Sequence, residues 1–162
     1  MKRYILYFLL FAASIPLVFT SCEGSASSTP ELYASSRLVR TTPSGVRDTI
    51  LVSDTLHVGD TLRWYLLANG RFNTLQSFQA TCDTSAFDLA MEVDAGDSVV
   101  FAEGTDLAKA KLVFVPEKVY ACTAWLRFVP RKADSQEIEL TIATNAGEKY
   151  SPRSWTYTAK VK

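Results

Sequence analysis

Three cysteines are the first candidates for chemistry: Cys22, Cys82 and Cys122. Their number is odd, so at least one has a role other than an intramolecular disulfide. The single histidine, His57, could serve as a general base, but no Gly-x-Ser-x-Gly, His-Glu-x-x-His or phosphate-loop pattern accompanies it. One histidine and no close cysteine pair also argue against a zinc site. Asp-Thr recurs at 48, 54 and 60, every six residues. Three carboxylates could suggest calcium, yet the spacing and the glycine of a calcium loop are missing. A hexapeptide β-helix would need many more copies. Asp and Thr also suit strand entries and turns, which is the plainer reading. No acidic side chain stands in an apolar strand context that would raise its pKa. We therefore expect no catalytic residue, cofactor or metal, with a small hydrolase kept as the third-ranked reading because any sandwich can pair two carboxylates.

The elements that must position these residues are strands. Candidate strands lie near 33–40, 48–53, 60–68, 73–82, 87–93, 98–103, 111–115, 119–129, 136–144 and 154–161, separated by turn signals such as Asn69-Gly70 and Asn145-Ala146-Gly147. A helical turn or two is allowed around 105–111. Alternation assigns faces. Leu62, Trp64, Leu66 and Ala68 share one face, and Tyr120, Cys122, Ala124, Leu126 and Phe128 another. Ile138, Leu140 and Ile142 point inward, as do Trp155, Tyr157, Ala159 and Val161. One-sided alternation is the mark of antiparallel sheets with one wet face. The expected fold is an all-β antiparallel sandwich, with an open barrel as the alternative. The same parity turns Trp125 outward with Arg127, and Tyr65 outward with Arg63. Exposed Trp, Tyr and Arg dominate interface hot spots, so these four are the expected binding surface, for a protein or for a glycan stacked on the rings.

The amino terminus sets the compartment. Met1-Lys2-Arg3 precedes an apolar run from Tyr4 to Phe19 that is interrupted by Ser14 and Pro16. Sixteen residues are short for a membrane span, which needs about 20, and the pattern is that of an export signal. Phe19-Thr20-Ser21-Cys22 resembles the lipobox of bacterial lipoproteins, with Phe19 in place of the commoner leucine. The resemblance implies cleavage before Cys22 by signal peptidase II and acylation of the Cys22 sulfur, palmitate being a typical chain. Residues 1–21 would be the signal peptide, 22–30 a lipidated tether with a reach of about 16 Å, and 31–162 the domain. Two or three acyl chains hold a protein stably, at about 0.8 kcal/mol per buried methylene. The expected location is the envelope of a Gram-negative bacterium, anchored in the outer membrane. Without Lys2 and Arg3 the chain has 17 acidic against 15 basic side chains, which gives no reason to expect nucleic acid.

With Cys22 acylated, Cys82 and Cys122 remain, and both have core parity. In an oxidising compartment a bond between them would close a loop of about 41 residues, roughly 3.9 kcal/mol in the chain-entropy model. Two buried thiols acting as small hydrophobes are the alternative.

Two further resemblances bear on the domain. "KLVFVPEKVYACTAWLRF" resembles the last third of immunoglobulin-like domains, and Tyr120-x-Cys122 matches the spacing of their tyrosine corner. "VGDTLRW" looks like the entry to an early strand of such modules. The resemblance implies an immunoglobulin-like sandwich, although Trp64 precedes Cys82, unlike the antibody pattern. Asp48-Thr49-Ile50, Asp54-Thr55-Leu56, Asp60-Thr61-Leu62 and Asp97-Ser98-Val99 each resemble the acceptor of periplasmic O-glycosylation systems. That implies Thr49, Thr55, Thr61 and Ser98 as modification sites. The expected function is a non-catalytic, lipid-anchored interaction or structural module of the envelope; a carbohydrate- or small-ligand-binding lipoprotein is the alternative.

Overall fold

Strict alternation of large apolar with polar side chains gives two sheets that bury one face each. The computed structural model describes residues 28–94 and 100–162. Nine strands follow in order: β1 (Glu31–Thr41), β2 (Arg47–Leu51), β3 (Thr61–Asn69), β4 (Leu75–Cys82), β5 (Phe87–Glu92), β6 (Lys111–Val113), β7 (Ala121–Pro130), β8 (Asp134–Thr144) and β9 (Arg153–Val161). One sheet has the order β2-β1-β3-β7-β5 and the other β6-β4-β8-β9. Every pairing between these strands is antiparallel. Strands β1-β3-β7-β5 reproduce the A-B-E-D order of the immunoglobulin sandwich, and β4-β8-β9 its C-F-G order. Strands β2 and β6 are added at one edge of each sheet. The fold is therefore an immunoglobulin-like antiparallel sandwich.

The inner faces carry the expected residues. Leu62, Trp64, Leu66 and Ala68 of β3 are buried with Leu126 and Phe128 of β7 and with Phe78, Leu140 and Ile142 of the opposite sheet. An aromatic chain crosses between the sheets: Tyr157 lies 4.9 Å from Trp64 and 6.3 Å from Phe128, centroid to centroid. The β1–β3 register shifts between Ala34 and Leu38. The Trp64 indole N–H donates to the Ser35 carbonyl there at 2.7 Å, satisfying a group the bulge would otherwise leave unpaired. The segment before β3 runs along the outer edge of β9. Leu56 N donates to Lys160 O (2.8 Å), Lys162 N to Leu56 O (2.9 Å) and Val58 N to Lys162 O (3.0 Å), while the Tyr157 hydroxyl reaches Val52 O (3.0 Å).

Two expectations are corrected. Alternation puts Tyr120 on the core face, and its spacing from Cys122 matches a tyrosine corner. It precedes β7 and is 54% exposed. Its carbonyl accepts from Gly70 N at 2.8 Å, so the chain is still turning at this point and strand parity does not extend back to it. Moreover, β7 pairs with β3 and stands at position E, whereas the tyrosine corner belongs to strand F, here β8. The expected strand 98–103 falls partly outside the described residues; beyond them Phe101 makes a single bridge to Phe114. The helical turn is one 3-10 turn, Leu107–Lys109, capped by the Asp106 side chain, which accepts from Lys109 N.

Candidate functional site

The outer face of the first sheet gathers the four side chains expected to form a surface. Register places Tyr65 opposite Trp125 and Arg63 opposite Arg127. The Tyr65 and Trp125 rings meet edge to face, with centroids 5.1 Å apart. Arg63 Cζ lies 4.8 Å from the Trp125 ring centroid, a cation–π contact. The same guanidinium bonds Glu92 Oε2 at 2.5 Å, across β7 to the far edge strand. Glu92 is itself opposite Trp125 in the β5–β7 register. Tyr65 is 41% exposed and Trp125 half-buried, so the cluster is packed yet open to solvent. The next row of this face, Leu67 opposite Thr123, leads into a cleft of about 360 Å³ lined also by Lys118, Val119, Tyr120 and Ala121.

The outer face of the second sheet is chemically different. Its rows read Gln79–Thr141–Ser154 and Thr81–Glu139–Thr156. Thr141 and Ser154 share a hydroxyl hydrogen bond of 2.8 Å. These rows hold short polar and acidic side chains and no ring.

The Asp-Thr repeat has a structural explanation. Two of its aspartates, Asp48 and Asp60, face one cation, Arg40 of β1, and the third, Asp54, acts on it only through its charge. Arg40 grips Asp48 through two bonds, Nε to Oδ1 at 2.9 Å and Nη2 to Oδ2 at 2.5 Å. Asp60 is 2% exposed, with Oδ2 at 3.9 Å from Arg40 Nη1 and 3.7 Å from His57 Nδ1. Asp54 adds its field to Arg40 and accepts from Leu51 N at 2.8 Å. The Arg40 hydrogen bonds hold the Asp48 carboxyl below its ordinary range, and Asp48 in turn raises Arg40. A guanidinium thus supplies the positive charge beside these carboxylates. Among the described residues no cluster of three His, Cys, Asp or Glu side chains is arranged to hold a metal. The burial of Asp60 was not foreseen from sequence, because the cation that balances it comes from a different strand. Of the residues implied as glycosylation sites, Thr49 is exposed on edge strand β2, and Thr55 and Thr61 are half-buried. Ser98 lies outside the described residues.

The cysteines are not brought together. Cys82 ends β4, and its Sγ lies 3.8 Å from the carbonyl of Phe87, which pairs with Pro130 at the end of β7. Cys122 is near the start of β7, opposite Ala68. Eight residues of strand separate the two levels, about 26 Å at 3.3 Å per residue. A disulfide tolerates a Cα separation of about 7 Å at most, so the expected Cys82–Cys122 bond is not made in this fold. Burial, with a smaller contribution from Asp83, pushes the Cys82 thiol above its ordinary pKa. Cys22, the expected lipidation site, lies outside the described residues.

No family model matches the chain, and no curated protein matches it. Among solved structures, the chain is similar to a DUF4466 family protein from Parabacteroides merdae, with a TM-score of 0.45 and 11% identity over 82% of this chain and 45% of that one. A structure described as BspA_C_WT gives a TM-score of 0.43 and 11% identity over 82% of this chain and 50% of that one. The collagen-binding domain of a Staphylococcus aureus adhesin gives 0.35 and 11% identity over 62% and 87%. The chain spans about half the length of the first two.

Proposed function

We propose that this chain is a lipid-anchored, non-catalytic interaction module of the bacterial envelope. It is attached through Cys22, and it uses the outer face of β3, β7 and β5 to bind a protein partner. The observation that carries the binding face is the cross-strand cluster of Tyr65, Trp125, Arg63 and Glu92, with Arg127 beside it. Aromatic and arginine side chains held rigid by their neighbours lose little entropy on binding, which is why such sets act as anchors. A protein partner fits better than a stacked sugar, because the Arg63 guanidinium already lies over the Trp125 ring. The adjoining cleft at Leu67 and Thr123 offers a socket for a partner side chain. The anchor rests on the lipobox resemblance at Phe19–Cys22 and on the apolar run before it.

Two measurements test the two halves. Growth on a labelled fatty acid should label the wild type and not Cys22→Ala; an unlabelled wild type would remove the anchor. Affinity capture from membranes should recover a partner with the wild type and lose it with Trp125→Ala or Arg127→Glu. Capture that is indifferent to both substitutions would move the binding face elsewhere.

A further inference from the structure

The end of the sandwich where the chain enters is built around an exposed aromatic on a stiff turn. Phe72 is 80% exposed. It stands on the turn between β3 and β4, where Asn73 N donates to Gly70 O at 3.0 Å and Arg71 N donates to Asn69 Oδ1 at 2.8 Å. Gly70 is required there, since a Cβ would fall 2.2 Å from the Asn73 carbonyl oxygen. Arg71 follows with φ of 60°. Gly70 N also donates to Tyr120 O at 2.8 Å, which fixes the exposed Tyr120 beside the turn. Tyr33, exposed at the same end, donates its hydroxyl to Glu31, which also receives Arg71. Lys118 and Lys149 stand on the neighbouring loops of this end, Lys149 lying 5.4 Å from the Tyr150 ring centroid. Among the described residues, the exposed large apolar side chains toward the opposite end, Val46, Val58 and Leu107, are all aliphatic.

The tether leads to this turn. Asn73 Nδ2 donates to Ser28 O at 3.1 Å, so the Phe72 turn holds the point where the chain joins the domain. Six residue steps separate Ser28 from Cys22. They span no more than about 22 Å when fully extended, and about 13 Å as a random coil.

We propose that this end of the sandwich rests on the phospholipid surface, with Phe72 seated among the headgroups and Tyr120 and Tyr33 beside it. The inference rests on the Cys22 anchor and extends it from a point of attachment to a docked orientation. A phenyl ring on a turn that cannot fold away gains by leaving water. The interfacial layer is where rings and lysines with long apolar stems settle together. The contact stands the first sheet upright, so that Trp125 and Tyr65 look sideways along the membrane rather than into it.

The test replaces Phe72 with the photoreactive residue benzoylphenylalanine in the otherwise native, full-length chain. After irradiation in cells the membranes are digested with trypsin. Peptide 72–109 reports the crosslink, and peptide 22–37 separately reports the acyl chains. The expected result is phospholipid mass on 72–109, acyl mass on 22–37, and loss of the phospholipid adduct when the probe is moved to Val46 and read on peptide 41–47. Acyl chains on 22–37 with no adduct, or with a protein adduct, on 72–109 would overturn the docking and leave the anchor standing. Absence of acyl chains from 22–37 would overturn both.

Discussion

The two sheets have alike interiors and unlike exteriors. Inside, both present branched aliphatic and aromatic side chains in alternation, and the two inner faces close on a shared aromatic chain through Tyr157. Outside, β3, β7 and β5 carry rings, arginines and a glutamate that spans three strands, whereas β4, β8 and β9 carry threonine, serine, glutamine and glutamate. Solubility alone would be served by the second kind of face. The first costs side-chain ordering and exposes rings to water, and that asymmetry is why the proposed binding surface is placed on this sheet.

Four sets of variants sharpen or break this contrast. The largest effect tests the likeness of the interiors. Phe78→Ala and Phe128→Ala, both fully buried on opposite sheets, should each lower stability by about 3–5 kcal/mol in denaturant titration. A much smaller loss in one sheet would mean that its inner face is loosely packed. Next come the exteriors. Trp125→Ala should weaken partner capture by about 2 kcal/mol, roughly 30-fold, while Thr141→Ala on the other sheet leaves capture unchanged. Equal responses would erase the distinction between the faces.

A smaller effect follows from Tyr157. Removing its hydroxyl with Tyr157→Phe deletes the bond to Val52 O, which should cost about 1 kcal/mol near neutral pH. Burial pushes this phenol up to about 12, whereas in the unfolded chain it ionises near 10. Between those values the unfolded state has released a proton that the native state keeps. Stability should therefore fall as pH rises from about 10 to about 12, more steeply in the wild type than in Tyr157→Phe. Parallel slopes for the two proteins would show that Tyr157 is more solvated than its packing implies. The smallest effect belongs to Arg63→Gln, which removes an exposed ion pair and a cation–π contact and should cost no more than about 1 kcal/mol in a thermal melt.

Side-chain parity made the faces readable from sequence. Leu62 through Ala68 and Ile138 through Ile142 went inward as alternation requires, and the outward set Arg63, Tyr65, Trp125 and Arg127 came together because β3 and β7 happen to be neighbours. Pairing itself is a long-range property and was not legible. Local pattern could not show that two further strands after β7 shift it to position E, or that Glu92 of β5 reaches Arg63 past an intervening strand. Parity also fails where a strand has not yet begun, as at Tyr120. Burial of Asp60 depends on Arg40, and the exposure of Phe72 on a turn that closes only at Asn73; both are consequences of chain reversal rather than of composition.

The run of backbone bonds from Leu56 and Val58 to the end of β9 bears on how copies of this protein meet. A nine-residue strand at the rim of a sheet is a template on which another chain can be laid, and one such addition exposes the next. Here the carboxyl-terminal stretch of that template is already occupied by the protein's own residues. Growth along the full length of β9 would first have to peel that segment away, so this edge carries its own chain terminator.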